Sequence, residues 1–511
     1  MAKISAKISE SLREYLILTG WIKCKPEKVS LEAKLGDSIK LQYPYMTARM
    51  QCVVGPDMAV AAGRNGILTC IPRSLRDIDK QNIINANKSA RLKKGNVEYL
   101  ERPESVEPDT KIGEVIELIN KTGYSVIPVL DWHKKLMGFY IHNPDNTSSV
   151  PPYKPIKEVM TPLRTKSDNR GVPFLYNDSS KAEVKRLLIS EDKRFVPIVN
   201  NKMVFQRLAF LQKYDTNFIG IAISTRNKWE EELERWGHQV DTLMIDSSNA
   251  CFDDAVKILK AAKEKFPDKP FGVGNIIQGG HFVKFAKNGA DYIIAGMGVG
   301  SICQTGSERG NGRGQFTVAK ELSDVRNKLY DDTDRYVPLV IDGSLGNVKD
   351  ITVALALGDF VMMGNYFNRF YEAAARKLGE KGEPISEEKL IKRVETWGEG
   401  HPIARLVGMF GMNYREAIRE ADPADVANVL ERYGHASISS ATIEGVVGTA
   451  EYRGRLKPNV EEDARYIRTT ISNTGASNLE EFRQMAVLEK ASPETMGDMY
   501  PHDITIKEGG K

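Results

Sequence analysis

Eight short apolar runs, rich in Val and Ile, punctuate this chain at 43–50, 66–72, 218–224, 242–247, 270–276, 292–297, 338–343 and 360–365. Each is nearly continuous in its hydrophobicity, the mark of strands buried on both faces. Helix-patterned, charged segments lie between them. This alternation predicts an α/β fold with a parallel sheet, and eight repeats match a (β/α)8 TIM barrel. A doubly wound open sheet is the alternative that the strand count alone leaves standing. The rhythm breaks once: about 150 residues lie between the second run and the third, which predicts an inserted domain.

At 511 residues the chain can bury a large core, and 41% hydrophobic with 27% charged residues is an ordinary globular composition. A net charge of +4 gives no support for a nucleic acid or a membrane surface as primary partner. The opening "MAKISAKISESLREYL" has no apolar core of a signal peptide, and no apolar stretch approaches membrane-spanning length. Five cysteines, odd in number and without CxxC spacing, argue against a disulfide framework or a zinc site and for a reducing, cytoplasmic setting.

Within the insert, 106–140 and 174–208 share one pattern: an extended start, an amphipathic helix, then "SVIPVLD" or "FVPIVNN", then a further strand. Two β-α-β-β copies joined by "PIKEVMTP" (155–162) resemble a tandem CBS (Bateman) pair. That resemblance implies adenine or guanine nucleotides bound between the halves; a purely structural insert is the plainer alternative. The expected division is 100–216 for the insert, with 1–99 and 217–511 forming the barrel and a C-terminal flap.

Barrel enzymes carry their chemistry at the C-terminal ends of strands. Here the fourth run is followed by Asp246, Ser247, Ser248 and Asn249, and the fifth ends at Asn275. The sixth opens into "AGMGVGSICQTGSERGNGRGQ" (295–315), which holds Cys303 and Thr305. Asp342, Gly343 and Ser344 follow the seventh run; Gly364, Asn365 and Tyr366 follow the eighth. A single Asp after a strand is commonly a helix N-cap, but five rims in register are hard to explain as caps. Glycine-loop N–H groups suit a phosphate. A cysteine in a core would be a small hydrophobe; among seven glycines it reads instead as a nucleophile held close to a ligand.

The cysteine loop resembles the catalytic loop of the inosine monophosphate (IMP) dehydrogenase and guanosine monophosphate (GMP) reductase family. The likeness extends through "MQCVVGPDMAVAAGRNGIL" (50–68), "IDSSN" (245–249), "GVGNII" (272–277), "VIDGSLGN" (340–347), "ALALGDFVMMGNYF" (354–367), "WGEG" (397–400), "EGVVG" (444–448) and "PHDITI" (501–506). It implies a thiolate from Cys303 that adds to purine C2, hydride loss to NAD, and hydrolysis of the adduct with Thr305 positioning water. Splitting one hard step into two is the logic of covalent catalysis. By the same resemblance Asp246, Ser247, Ser248, Asn275 and Arg226 meet the cofactor. Ser301, Asp342, Gly343, Ser344, Gly364, Asn365, Gly398 and Glu399 meet the nucleotide. The main-chain oxygens of Gly298, Gly300 and Cys303 hold K+, and the chains assemble as homotetramers that can pair into octamers.

The two branches of the family differ after the eighth strand. The dehydrogenase branch carries a flap whose Arg-Tyr pair activates water. Here "ERYGH" places Arg432 and Tyr433 twelve and eleven residues before Glu444, the dehydrogenase spacing. An exposed helix end is the plainer reading of that dipeptide. The first expectation is therefore NAD-dependent oxidation of IMP to xanthosine monophosphate, in guanine nucleotide biosynthesis. An NADPH-dependent GMP reductase and a non-catalytic, CBS-regulated nucleotide sensor are the alternatives.

Several positions depart from the pattern. Ile294, nine residues before Cys303, stands where the family carries Lys or Arg. Ala48 and Arg49 stand where small or apolar residues are usual, Thr396 where a tyrosine reaches the phosphate, and Ser344 at the second glycine of "DGG". Asn365 also departs, and Asp254 falls at the position of an aromatic adenine partner. These changes concern the pocket rather than the nucleophile.

Overall fold

The computed structural model describes residues 5, 8–101, 103–122, 126–142, 151–165, 170–212, 215–225, 228–420 and 445–499. Arg226, Arg432, Tyr433 and Glu444 lie outside these described residues. Among the described residues no helix is long and apolar enough to cross a membrane.

All eight apolar runs form strands of one parallel sheet: β1 (Tyr45–Thr47), β2 (Thr69–Ile71), β3 (Ile219–Ile223), β4 (Thr242–Asp246), β5 (Phe271–Ile276), β6 (Tyr292–Ala295), β7 (Leu339–Asp342) and β8 (Phe360–Met363). The order runs β1-β8-β7-β6-β5-β4-β3-β2. The ends meet where Thr47 N–H donates to Leu68 O (3.0 Å) and Leu68 N–H to Tyr45 O (3.1 Å). That closure excludes the open sheet and makes the unit a TIM barrel.

Helices α1 (Pro56–Arg64), α2 (Asp77–Ser89), α3 (Trp229–Gly237), α4 (Asp253–Lys265), α5 (Gly279–Lys287), α6 (Gln315–Thr333) and α7 (Val348–Leu355) follow the strands in turn. The eighth, α8 (Leu456–Asn473), packs against α7 and α1 and completes the ring. Between β8 and α8 the chain makes an excursion built on an antiparallel sheet of Lys377–Leu378, Arg393–Trp397 and Val447–Glu451.

The barrel interior is a packed core. Met46, Cys70, Met244, Tyr292, Ile294, Val340, Phe360 and Met362 fill it, and Leu35, Ile39 and Leu41 from a hairpin (33–35 with 39–41) join the same cluster. Tyr292 is its largest member. Its ring is accommodated because β5 carries glycine opposite: a Cβ on Gly272 would lie 2.1 Å from Tyr292 Cε2. Tyr292 Oη lies 3.0 Å from Thr242 Oγ1 and donates to Leu243 O at 3.2 Å, so the buried phenol is satisfied. The N-terminal segment adds a brace outside the barrel. Glu10 O accepts from Phe316 N–H (3.1 Å), and Tyr15 stacks on Phe316 with ring centroids 3.3 Å apart.

The second compact unit is Leu92–Asp215. It begins earlier than residue 100 because Val97–Glu101 pairs antiparallel with Phe205–Leu211 as part of the insert's own sheet. That sheet runs 175–176, 196–199, 205–211, 97–101, and helix Lys181–Ser190 packs on it through Val184 and Leu188. A second sheet (126–130, 136–141, 161–162) carries helix Ile112–Thr122 through Ile112, Val115 and Ile119. Leu130, Leu136 and Phe139 meet Val172, Val199 and Leu208 between them, so two similar α/β halves share one apolar seam.

The Gly272–Tyr292 fit yields a packing prediction. Gly272→Ala is expected to destabilise the protein by about 2 kcal/mol, the usual cost of overpacking a tight core. Tyr292→Val in the same chain should recover part of that loss. Thermal or urea melts of the single and double variants check it; equal losses in both would show that the ring is not the obstacle.

Candidate active site

Strand β6 delivers the chain to the mouth of the barrel at Gly296 (φ +140°), where a Cβ would sit 2.0 Å from Asp342 O. Only glycine passes this close to β7. Buried Gln315 donates through Nε2 to Ala295 O (2.9 Å) and Asp342 O (3.1 Å), pinning the loop at its root. Arg313 pins the return: its N–H donates to Met297 O (3.3 Å), and its guanidinium donates to Ile277 O (2.9 Å) and Glu321 (2.7 Å). The loop between these anchors carries Cys303. Its N–H donates to Gly300 O (3.0 Å), and its Sγ donates to Thr305 Oγ1 at 3.3 Å. Thr305 is buried, Cys303 half-buried and Ser301 exposed. The last strand of the excursion starts against this loop: Val446 N–H donates to Ile302 O (3.2 Å), and Cys303 bridges Gly445.

The floor of the mouth is polar and charged. Arg49, just past β1, is 6% exposed. Its Nη2 donates to Asn275 Oδ1 (2.9 Å) and Asp342 Oδ2 (2.9 Å), and its Nη1 lies 3.2 Å from Asp246 Oδ1. Asn275 Nδ2 completes the cycle, donating to Asp342 Oδ2 (3.0 Å) and Gly296 O (2.8 Å). Burial opposes the charge on Arg49, but the carboxylates of Asp246 and Asp342 outweigh it and hold the guanidinium above its ordinary value. Burial pushes the Asp342 carboxyl up; Arg49 and Asn275 oppose that. Thus Asp246, Asn275 and Asp342, singled out separately from three strands, form one network through a residue read only as a departure.

A second cluster lies beside it. Gln51 is fully buried. Its N–H donates to Glu399 Oε1 (2.7 Å), its Nε2 to Ser74 O (3.1 Å) and Ala404 O (2.9 Å), and its Oε1 accepts from Trp397 Nε1 (3.3 Å). Ser74 donates to the other oxygen of Glu399. Burial pushes the Glu399 carboxyl up to about 7, with nearby Asp246 adding to the rise and Ser74, Gln51 and Arg73 opposing it. Glu399 therefore changes charge near neutral pH.

The remaining expected residues take varied positions. Ser247 N–H donates to Gly274 O (3.0 Å) and Asn275 N–H to Ser247 O (2.7 Å), joining the loops after β4 and β5; Ser248 is exposed. Gly343 (φ +102°) and Ser344 (φ +59°) turn the chain after β7. Ser344 tolerates a left-handed conformation that favours glycine while its hydroxyl donates to Val299 O at 2.7 Å, tying β7's rim to the cysteine loop. Gly364 lies under Met50, whose Sδ would be 2.6 Å from a Cβ there, and Asn365 opens a one-turn helix. Gly398 is buried beside Gly445. Gly298 (φ +77°) and Gly300 bend the loop that carries the three expected K+ carbonyls. Of the departures, Ile294 is buried in the interior cluster with Ala48, Thr396 is buried in the excursion sheet, and Asp254 is exposed, paired with Lys257.

Sequence reasoning missed Gln51 and the central role of Arg49. Their signal was chemical: a charged and an amide side chain directly after a buried strand, at a rim where each needs a polar partner.

Fold and rim together describe a barrel with a cysteine-bearing glycine loop and a carboxylate-lined mouth at the C-terminal ends of its strands. The family model for the IMP dehydrogenase / GMP reductase domain matches residues 10–502. The chain belongs to that family, and it is an oxidoreductase. It is 27% identical to inosine-5'-monophosphate dehydrogenase of Tritrichomonas foetus, over 99% of this chain and 98% of the relative. It is 26% identical to the Methanocaldococcus jannaschii protein of the same name, over 98% and 97%. A crystal structure of a Cys-to-Ala variant of GMP reductase from Trypanosoma brucei, in complex with guanosine 5'-monophosphate, shares the fold with a TM-score of 0.64. It is 20% identical and covers 98% of this chain and 99% of that one.

Glu399 gives a signed pH prediction. Its folded value lies above the ordinary 4.5, so its contribution to stability is full below 4.5 and is lost as pH rises through about 7. Glu399→Gln removes that loss. Relative to the parent, the variant should gain stability between pH 5 and pH 8, by about 2 kcal/mol after discounting for its open side. Melting curves across that range check it; a stability difference flat in pH would contradict it.

Proposed function

We propose that this protein oxidises IMP to xanthosine monophosphate with NAD, in guanine nucleotide biosynthesis. The observation that carries the reading is the mouth of the barrel, where the Cys303–Thr305 pair shares one rim with Asp246, Asn275, Asp342 and Glu399. Relatives named for this activity align with the whole chain, which supports it.

In this reading Asp342 accepts hydrogen bonds from the substrate ribose, and the turn at Gly343 with Ser301, Gly364 and Asn365 lies toward its phosphate. Glu399, held by Gln51 and Ser74, meets the base and exchanges a proton with it. Cys303 adds through sulfur to C2, forming a tetrahedral adduct. NAD, bound with its ribose at Asp246, supplies the acceptor for the hydride that leaves C2. Ser247, Ser248 and Arg226 complete its site, and the half-open Asp246 carboxylate at the end of β4 fits such a hydroxyl-bearing group. The adduct left on sulfur is then hydrolysed, with Thr305 orienting water and Arg432, Tyr433 and Glu444 moving its proton. The main-chain oxygens of Gly298, Gly300 and Cys303 would hold K+, which steadies the loop. That assignment fits a loop bent by two glycines with the Cys303 N–H turned onto Gly300 O. The insert is assigned as a CBS pair for adenine or guanine nucleotides, and the assembly as a homotetramer in the cytoplasm.

Purified protein given IMP and NAD is expected to produce NADH, followed by absorbance, with xanthosine monophosphate as the nucleotide product. Cys303→Ala should lower the rate at least about 10³-fold, since the covalent route is lost. GMP with NADPH is run in parallel. Turnover of that pair alone would replace the reading with the reductase, and silence in both would replace it with the nucleotide sensor.

A further inference from the structure

Arg49 lies where a single side chain touches β4, β5 and β7 together. Its contacts use Asp246 Oδ1 and Asp342 Oδ2. The two carboxylate side chains keep 23% and 19% of their surface, against 5% for Arg49, so they retain open area for a ligand while the cation beneath them is sealed. Nη1 of Arg49 is buried with no hydrogen-bond acceptor, although Asp246 Oδ1 is 3.2 Å away. A buried guanidinium donor without an acceptor is costly, and it lies between the two groups assigned above to the two riboses.

We propose that Arg49 is a positioning residue for both ligands: one guanidinium fixes one oxygen of Asp246 and one of Asp342, and leaves the other oxygen of each to accept from the ribose hydroxyls of the dinucleotide and the nucleotide. Nη1 donates to a ligand oxygen held between them. The proposal rests on the functional reading given above. It also assigns a purpose to two departures: the interior cluster carries Ile294 on β6, and the cation of the mouth is supplied from β1 instead.

Charge balance explains why the site needs the cation. The groups facing Asp342 are Arg49, Asp246 and Asn275, with Cys70 and Tyr292 below them. Burial pushes the Cys70 thiol up to about 12 and the Tyr292 phenol far above its ordinary value, so both are neutral. Glu399 lies beyond Asp246. Without Arg49, two carboxylates share a largely enclosed floor with no cation, and one of them holds a proton to higher pH. A protonated Asp342 loses the charge-assisted hydrogen bond to a ribose.

The test uses the full-length protein, with Arg49→Met and Arg49→Lys as variants. Binding of IMP and of NAD is measured by calorimetry from pH 6 to pH 8, with KM for each ligand and melting curves alongside. Arg49→Met is expected to weaken both ligands at least about tenfold, and its IMP affinity should rise from pH 6 to pH 8 relative to the parent, whose own profile carries the Glu399 titration. Arg49→Lys keeps the charge but not the forked geometry; it should weaken both ligands about fivefold and follow the parent's pH profile. The Lys variant decides the matter if the Met variant does not fold. Parental affinity for both ligands in either folded variant, or a loss confined to one ligand, would overturn the proposal. A parent protein that binds neither ligand would overturn the functional reading itself, and this assignment with it.

Discussion

One buried guanidinium shared by two carboxylates organises the mouth of this barrel. The interior below it is sealed by Tyr292, Ile294 and Met362, so no water layer is available to solvate Asp246 and Asp342 from beneath. Desolvated like charges at such a distance raise each other's proton affinity unless a cation stands between them. Arg49 is that cation, and its geometry then propagates along the chain. The next residue, Met50, lies over Gly364 at the end of β8. The one after, Gln51, reaches Ser74, Trp397, Glu399 and Ala404. Three consecutive side chains after one short strand thus set the relation between six separate stretches of the rim.

The cysteine loop depends on the same floor for its footing. Its root is fixed by Gln315 on the carbonyl of Asp342, the residue whose side chain meets Arg49. Its crest is fixed by Ser344 on Val299, and its far side by Val446 on Ile302. A glycine-rich loop would ordinarily lose much conformational entropy on being ordered by a ligand. Here main-chain and hydroxyl contacts from β7, α6 and the excursion hold the loop before any ligand binds, while the glycines let the backbone come close. The preorganisation lies in the partners and the close approach in the glycines.

The eight strands were legible because their information is local: each is a short, near-continuous apolar run; their closure was not, since it rests on the bonds between Tyr45, Thr47 and Leu68. The rim residues at strand ends were legible for the same reason. Arg49 was not, because its meaning lies in partners 226 and 293 residues away, and a sequence gives no pairing at that distance. Ser344 looked like a lost glycine; its hydroxyl contact to Val299 becomes visible only when two loops are seen side by side. The start of the insert was misplaced since Val97–Glu101 looks like any strand after a helix, and only its antiparallel partner at Phe205–Leu211 shows which unit owns it. Resemblance carried the assignment of Arg432, Tyr433 and Glu444, which no local pattern supplies.

Counted along the sequence, Ile294 and Arg49 are two separate losses: a missing cation on the sixth strand and an intrusive one after the first. In space they concern one volume. Ile294 fills the interior layer together with Ala48, and Arg49 crosses the mouth above that layer to the carboxylates of β4 and β7. Residues that share partners do not contribute independently, so the pair is better read as a relocation of one positive charge than as two defects. The relocation leaves the cysteine loop untouched and leaves the mouth with one cation between two carboxylates. What it alters is the direction from which the charge arrives, and hence which carboxylate oxygens remain free for a ligand. The cysteine loop and the charged floor of the mouth are therefore separable in this fold, and divergence can act on the floor while the loop is held constant.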